Sequence, residues 1–259
     1  MSTPEGWKNY DDFAVGIDTN RLPSTDRLAG QSFALRFAGA AMQLDFRSGT
    51  EIDWSQGTER GTDDYDAVEV APDTYYIDIA LRTRPREALT LIINTASLRV
   101  LAIRCIVGDQ PVAGQPQVSQ CFDAGVLASE RAQPSGAPPA PTRDLIGMRT
   151  FQRYSPHHLY EHTYLNSERY CWQCLVGEQR GHGDVDLASY YRFDDQQYVF
   201  TFREFLIPVA SVFFFDMRTL RSTGKFLGLS AAGVVENRRA GAFIRQASVT
   251  HYEAGAEPV

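Results

Sequence analysis

The chain has 259 residues, 43% of them hydrophobic, and 32 acidic against 25 basic side chains leave a formal net charge of -7. So acidic a surface cannot gather phosphates, and nucleic acid is not an expected partner. The opening MSTPEGWKNYDDF carries neither a basic nor an apolar signal region, no run of about 18 apolar residues follows, and four cysteines are too few for a disulfide framework; the expectation is a cytoplasmic protein with free thiols and no membrane partner.

The first half reads as strand after strand, short runs rich in β-branched and aromatic residues broken by Gly, Asp, Asn and Pro: SFALRF, AMQLDF, EIDWS, DAVEVA, YYIDIALR, ALTLIIN and LRVLAIRCIV. Arg131 to Thr142, RAQPSGAPPAPT, has four prolines among small residues, the composition of an extended linker. After it come RTFQRY, HLYEHTYL, YCWQCLVG, LASYYRF, YVFTFREF, ASVFFFD, GKFLGLS and FIRQASVTHY. The halves echo each other. Leu28-Ala29-Gly30 matches Leu145-Ile146-Gly147, and the run from Thr90 to Leu98-Arg99 matches that from Val212 to Leu220-Arg221. Asp73 aligns with Asp195, with a one-residue gap expected in the strands that follow. No long helical period interrupts the runs, so the expected fold is all-β: two tandem antiparallel β-barrels, residues 1–130 and 143–259, joined by the Pro-rich linker 131–142.

Two hairpins of the second half can be registered from the alternation of faces. A loop at Asn166-Ser167-Glu168 pairs Tyr164 with Tyr170, His162 with Trp172 and Tyr160 with Cys174, all on one face, with Cys171 on the other. A two-residue turn at Asp195-Gln196 pairs Phe193 with Tyr198, Tyr191 with Phe200, Ser189 with Phe202 and Leu187 with Glu204. The inferred lining of Tyr160, His162, Tyr164, Trp172, Cys174, Tyr191, Phe200, Phe202 and Glu204 is aromatic with polar tips, suited to a planar, partly polar guest. The first half, lined by Ile77, Ile79, Leu81, Leu91 and Ile93 with few convergent polar groups, reads as the supporting barrel.

Cys171-x-x-Cys174 on a continuous strand throws its thiols to opposite faces and has no second cysteine pair, which argues against zinc or thioredoxin-like chemistry. His157, His158, His162 and His182 would build a metal centre only if a loop folded over the barrel mouth; His162 reads better as a pocket residue. The Gly-rich stretches 177–183 and 224–228 read as turns, not phosphate cradles. General acid and base chemistry remains. A carboxyl among aromatic rings loses hydration, so its pKa rises toward the range useful for proton transfer, and Glu204 is that candidate. Tyr160, Tyr164 and Tyr191 are placed as donors to a developing oxyanion, and Arg180, Arg221 or Lys225 as a clamp for a substrate carboxylate.

HLYEHTYLNSERYCWQCLVG, GHGDVD with the hairpin YYRFDDQQYVFTFREF, and VFFFDMRTLRSTGKFLG together resemble the molybdenum cofactor biosynthesis protein F family, MoaF, with LAGQSFALRF and DTYYIDIALR as a weaker echo in the first half. The resemblance implies two lipocalin-like (calycin) domains. A looser likeness to the phenolic acid decarboxylases, single barrels doing cofactor-free acid/base chemistry, carries the chemistry class alone. The leading expectation is therefore a small-molecule lyase, isomerase or cyclase with no cofactor and no metal, working in the second barrel. Two alternatives stand beside it: a non-catalytic carrier or sensor of a small metabolite, and a pair of barrels with filled interiors. A homodimer is left open.

Overall fold

The computed structural model describes residues 6–259. It begins with one helical turn, α1 (Tyr10–Phe13), and continues almost wholly in strands. The first barrel runs β1 (Ser32–Phe37), β2 (Ala41–Phe46), β3 (Glu51–Gln56), β4 (Glu59–Ala71), β5 (Thr74–Ala80), β6 (Glu87–Asn94), β7 (Arg99–Val107) and β8 (Val118–Leu127), each strand beside the next. It closes where Leu35 of β1 pairs with Leu127 of β8. Seven of these strands follow from the apolar runs. The eighth, VSQCFDAGVL, escapes the pattern because its apolar residues do not alternate regularly and only Val118 and Leu127, at its ends, are buried.

After a two-residue strand in the linker, β9 (Ala140–Pro141), the second barrel runs β10 (Met148–Ser155), β11 (His158–Tyr164), β12 (Arg169–Val176), β13 (Gly183–Asp194), β14 (Gln197–Arg203), β15 (Val209–Asp216), β16 (Arg221–Leu229) and β17 (Val235–Val249). Pairing of β10 with β17 and of β12 with β13 closes it, so both halves are eight-stranded antiparallel barrels of up-and-down order. Closure removes every exposed strand edge that an open sheet of this size would carry. Among the described residues no helix is long and apolar enough to cross a membrane.

The repeat is visible in the backbone. Gly30 and Gly147 both take positive φ, and so do Leu98 and Leu220, an uncommon conformation for leucine that ends the same turn in each barrel. Each of these leucines accepts an equivalent bond, Leu127 N–H to Leu98 O and Ile244 N–H to Leu220 O, both 2.8 Å. The turn residues that correspond are Asp73 and Gln196, at φ 56° and 53°, rather than Asp73 and Asp195, and since Leu98 and Leu220 are one residue closer in offset, a one-residue gap lies after this turn, among the strands that follow.

The compact units are residues Leu22–Ile106 with Gln120–Ala140, and Val107–Ser119 with Pro141–Val259 plus the chain up to Arg21. The expected span 1–130 for the first barrel therefore differs at three places: the chain up to Arg21 and residues 107–119 fall in the other unit, and the first unit runs on to Ala140. The physical reason for the N-terminal one is that Tyr10, Phe13 and Ile17, each 3% exposed or less, have their apolar partners in the second barrel's core.

In that core, Gly224 and Gly228 lie within β16 rather than in a turn. A Cβ on Gly224 would collide with Val212 O and come 2.5 Å from the Phe213 ring, so glycine here permits close packing of adjacent strands.

Candidate active site in the second barrel

The β11–β12 hairpin has the register read from its alternation: Tyr164 opposite Tyr170, His162 opposite Trp172, Tyr160 opposite Cys174. These six side chains are buried, while Cys171 is on the outer side and half-exposed. The β13–β14 hairpin does turn at Asp195-Gln196, but a bulge between Arg192 and Asp194 shifts every pair beyond it. Tyr190, not Tyr191, faces Phe200, and Ala188, not Ser189, faces Phe202. The extra residue of a bulge exchanges the two faces of the strand. Phe200, Phe202 and Glu204 keep their inward aspect because they lie on the other strand. Tyr191 is sent to the outer face, half-buried, and Asp186 takes an interior place that its sequence position did not announce.

Tyr160 and His162 from β11, Tyr170 and Trp172 from β12, Phe202 from β14 and Glu204 just past its end converge on one small void. Tyr154 of β10, Phe226 of β16 and Gln179 of the β12–β13 loop complete its sides. Phe13 and Ile17 of the N-terminal segment close it. Among the contacts that hold that segment are polar and stacked ones. The Tyr10 hydroxyl donates to Phe226 O at 3.0 Å, Ala231 N–H donates to Asp11 Oδ2 at 2.8 Å, and the Trp7 indole stacks on the His182 ring with centroids 4.7 Å apart. The void measures about 20 Å³, room for a water molecule and little more.

Desolvation dominates the electrostatics. Glu204 is 6% exposed, and burial, reinforced by the charges of Asp186 and Asp184, holds its carboxyl well above the usual carboxylate range. Burial thus favours the protonated form of this carboxyl over its anion. Asp186 is fully buried, and its pKa is raised to about 7 by burial, against the opposing pull of a hydrogen bond from Trp172 Nε1 at 2.9 Å. Phe205 N–H donates to its other oxygen at 3.1 Å. Burial pushes His162 down to about 3, so its imidazole is neutral, and its Nδ1 has no hydrogen-bond partner. The phenols of Tyr154, Tyr160 and Tyr170 are all pushed up by burial and stay protonated. Tyr160 donates to Gln179 Oε1 at 2.8 Å. Two carboxyls in unlike surroundings, one held well above the usual range and one titrating near 7, form the arrangement from which an acid and a base can be drawn.

Other expected site residues lie elsewhere. Tyr164 is fully buried but away from the void, its hydroxyl 3.2 Å from Thr150 Oγ1 and its ring against Phe200. Phe200 is also fully buried, at the centre of the ring cluster rather than on the void. Cys174 is buried in the same core without lining the void. None of the three expected cations reaches it. Arg180 is exposed in the β12–β13 loop, and Arg221 lies 4.1 Å over Phe243 while donating to Asn20 O. Lys225 is buried on the face of β16 opposite to Phe226, because neighbours along a strand alternate. Among the described residues no three His, Cys, Asp or Glu side chains are grouped as metal ligands.

Residues 5–108 match the model of the MoaF N-terminal domain, and residues 139–250 that of the MoaF C-terminal domain. Protein MoaF of Klebsiella aerogenes is 31% identical over 245 residues, which cover 90% of this chain and 92% of that one. A crystal structure from Burkholderia vietnamiensis carrying a provisional beta-lactamase name covers 42% of this chain and 100% of its own, at 13% identity and a TM-score of 0.36. A likeness that slight bears on neither fold nor function.

Proposed function

Since this chain belongs to the MoaF family, both of whose domains it contains in order, a family name alone supplies no reaction, and we propose that the second barrel is a cofactor-independent enzyme for a small aromatic or unsaturated, partly polar substrate. Glu204 transfers the proton in a lyase, isomerase or cyclase step. Asp186 is its charge partner, and His162, Tyr160 and Tyr170 polarise the substrate through neutral hydrogen bonds. The observation that carries this reading is the meeting of a buried Glu204, its carboxyl held well above the usual range, with a buried His162 whose Nδ1 is unpartnered, in one aromatic void. Buried polar atoms in native proteins are nearly always satisfied, so an imidazole nitrogen without a protein partner, on a residue lining a void, is a group that a guest can bond. No Lys or Arg lines this void, so the substrate's reacting end is uncharged or is neutralised on entry.

A substrate larger than water displaces Phe13 and Ile17, which makes withdrawal of the N-terminal segment part of the cycle. The size of the void also favours a second reading, in which side chains fill the barrel and nothing enters it. One experiment separates the two. The full chain is incubated in D2O with small phenols, enones and aromatic aldehydes, and deuterium incorporation at carbon is followed by NMR. Enzyme-dependent exchange that disappears in Glu204→Gln supports the proposal. Exchange unchanged in that variant removes Glu204 from its role, and no exchange with any compound favours the filled barrel.

A further inference from the structure

The larger internal space is in the barrel whose lining strands looked merely supportive. At one end of the first barrel lies a cavity of about 150 Å³, more than the void beside Glu204, floored by Met42, Leu89, Leu91 and Ala102, all at most 8% exposed. The space suits a benzene-sized guest. Its rim is polar. Arg104 lies opposite Leu89 and Gln56 opposite Met42, so both side chains share the face of the apolar floor. Arg104 Nη2 donates to Gln56 Oε1 at 3.1 Å, which orients the guanidinium at the cavity. Its other terminal nitrogen, Nη1, is 3.7 Å from Glu87, longer than a hydrogen bond. Glu87 is itself shared with Arg84 at 3.5 Å, and Arg84 sits 5.4 Å over the Trp54 ring. Glu87 is thus flanked by two guanidiniums, and the fork of Arg104 keeps donors that Gln56 does not use. The remaining acid on the lining, Asp123, is exposed and solvated.

An apolar floor of one-ring size beneath a guanidinium fixed by a neighbouring amide is the complement of an amphiphile with a planar anionic head, because the fork matches a carboxylate in two parallel hydrogen bonds. We propose that this end of the first barrel is a second ligand site, for a small carboxylate whose apolar body is about the size of a benzene ring. The site is independent of Glu204 and its void, and so of the reading given for the second barrel.

Benzoate and its uncharged near-isostere benzyl alcohol test the assignment by amide chemical-shift titration of the full chain. The site predicts saturable shifts at Leu89, Leu91, Ala102 and Arg104, with benzoate bound about tenfold or more tightly than the alcohol, as one charge-assisted bidentate contact allows. Arg104→Gln should bring the two affinities together while the alcohol is held as before. Ala102→Leu, which fills part of the space, should abolish both. Circular dichroism and the thermal midpoint of each variant verify its fold, and Arg104→Gln decides the question if Ala102→Leu does not fold. Absence of saturable shifts with millimolar benzoate, or benzoate binding that Arg104→Gln leaves unchanged, overturns the proposal.

Discussion

Replacing Asp186 by Asn should change the pH dependence of stability in a way that can be worked out in advance. Folding buries this carboxyl completely and raises its pKa from the ordinary 3.8 to about 7. Between those values the unfolded chain has released a proton that the folded chain retains, so stability falls as pH rises, by about 1.4 kcal/mol per pH unit. Across the whole window the loss is roughly 4 kcal/mol; it is absent below the window and constant above it. Asn at this position keeps one acceptor for Trp172 Nε1 or Phe205 N–H and loses the other, a penalty of about 1–3 kcal/mol that does not vary with pH. The variant should therefore be less stable than the wild type near pH 4 and equal or superior to it near pH 7, so the two profiles converge or cross. Urea denaturation of both proteins at several pH values across this window measures the difference directly. Glu204, shifted in the same direction, is present in both chains and largely cancels. Profiles that fall in parallel would refute the claim that Asp186 is held protonated by burial.

Glu204→Gln removes a carboxyl whose neutral form burial favours, so at pH 7 it should leave the unfolding midpoint unchanged or raised even as carbon exchange is lost; a clear drop in the midpoint would mean that the charged form is the native one. Phe200→Ala should cost about 3–5 kcal/mol in urea unfolding, because the fully buried ring packs against Tyr164 and Tyr170 at 5.2 and 5.0 Å; a loss below about 1 kcal/mol would contradict its place at the centre of the cluster. Phe13→Ala should open the void toward solvent and raise acrylamide quenching of tryptophan fluorescence, since Trp172, 4% exposed, lines the same void; unchanged quenching would show that the N-terminal segment does not shield it.

Alternation along the chain determined more than composition did. In a strand the side-chain period is two whatever the surroundings, so a hairpin with a regular ladder can be registered from its residues, and every pair of the β11–β12 hairpin that matters to the void was legible in HLYEHTYLNSERYCWQC. The same logic failed at LASYYRFDD. A bulge at Phe193 is a tertiary choice with no letter of its own, and one inserted residue was enough to exchange Tyr191 for Tyr190 and to bring Asp186 inside. The strand VSQCFDAGVL went unread for a related reason: closure of a barrel supplies its pairing partners, so it needs no strong apolar pattern. Arg104, Gln56 and Glu87 sit on three strands of the first barrel and meet only because the sheet curves shut, which is why no local spacing revealed a polar rim there. The fold class, the repeat, Glu204 on an aromatic face and the opposed directions of Cys171 and Cys174 belong to local periodicity, and the sequence alone determined them. How large each void is, which carboxyl stands beside Glu204, that the N-terminal residues close the second barrel, and that no cation reaches its interior depend on contacts between distant segments, and only the closed barrels decided those.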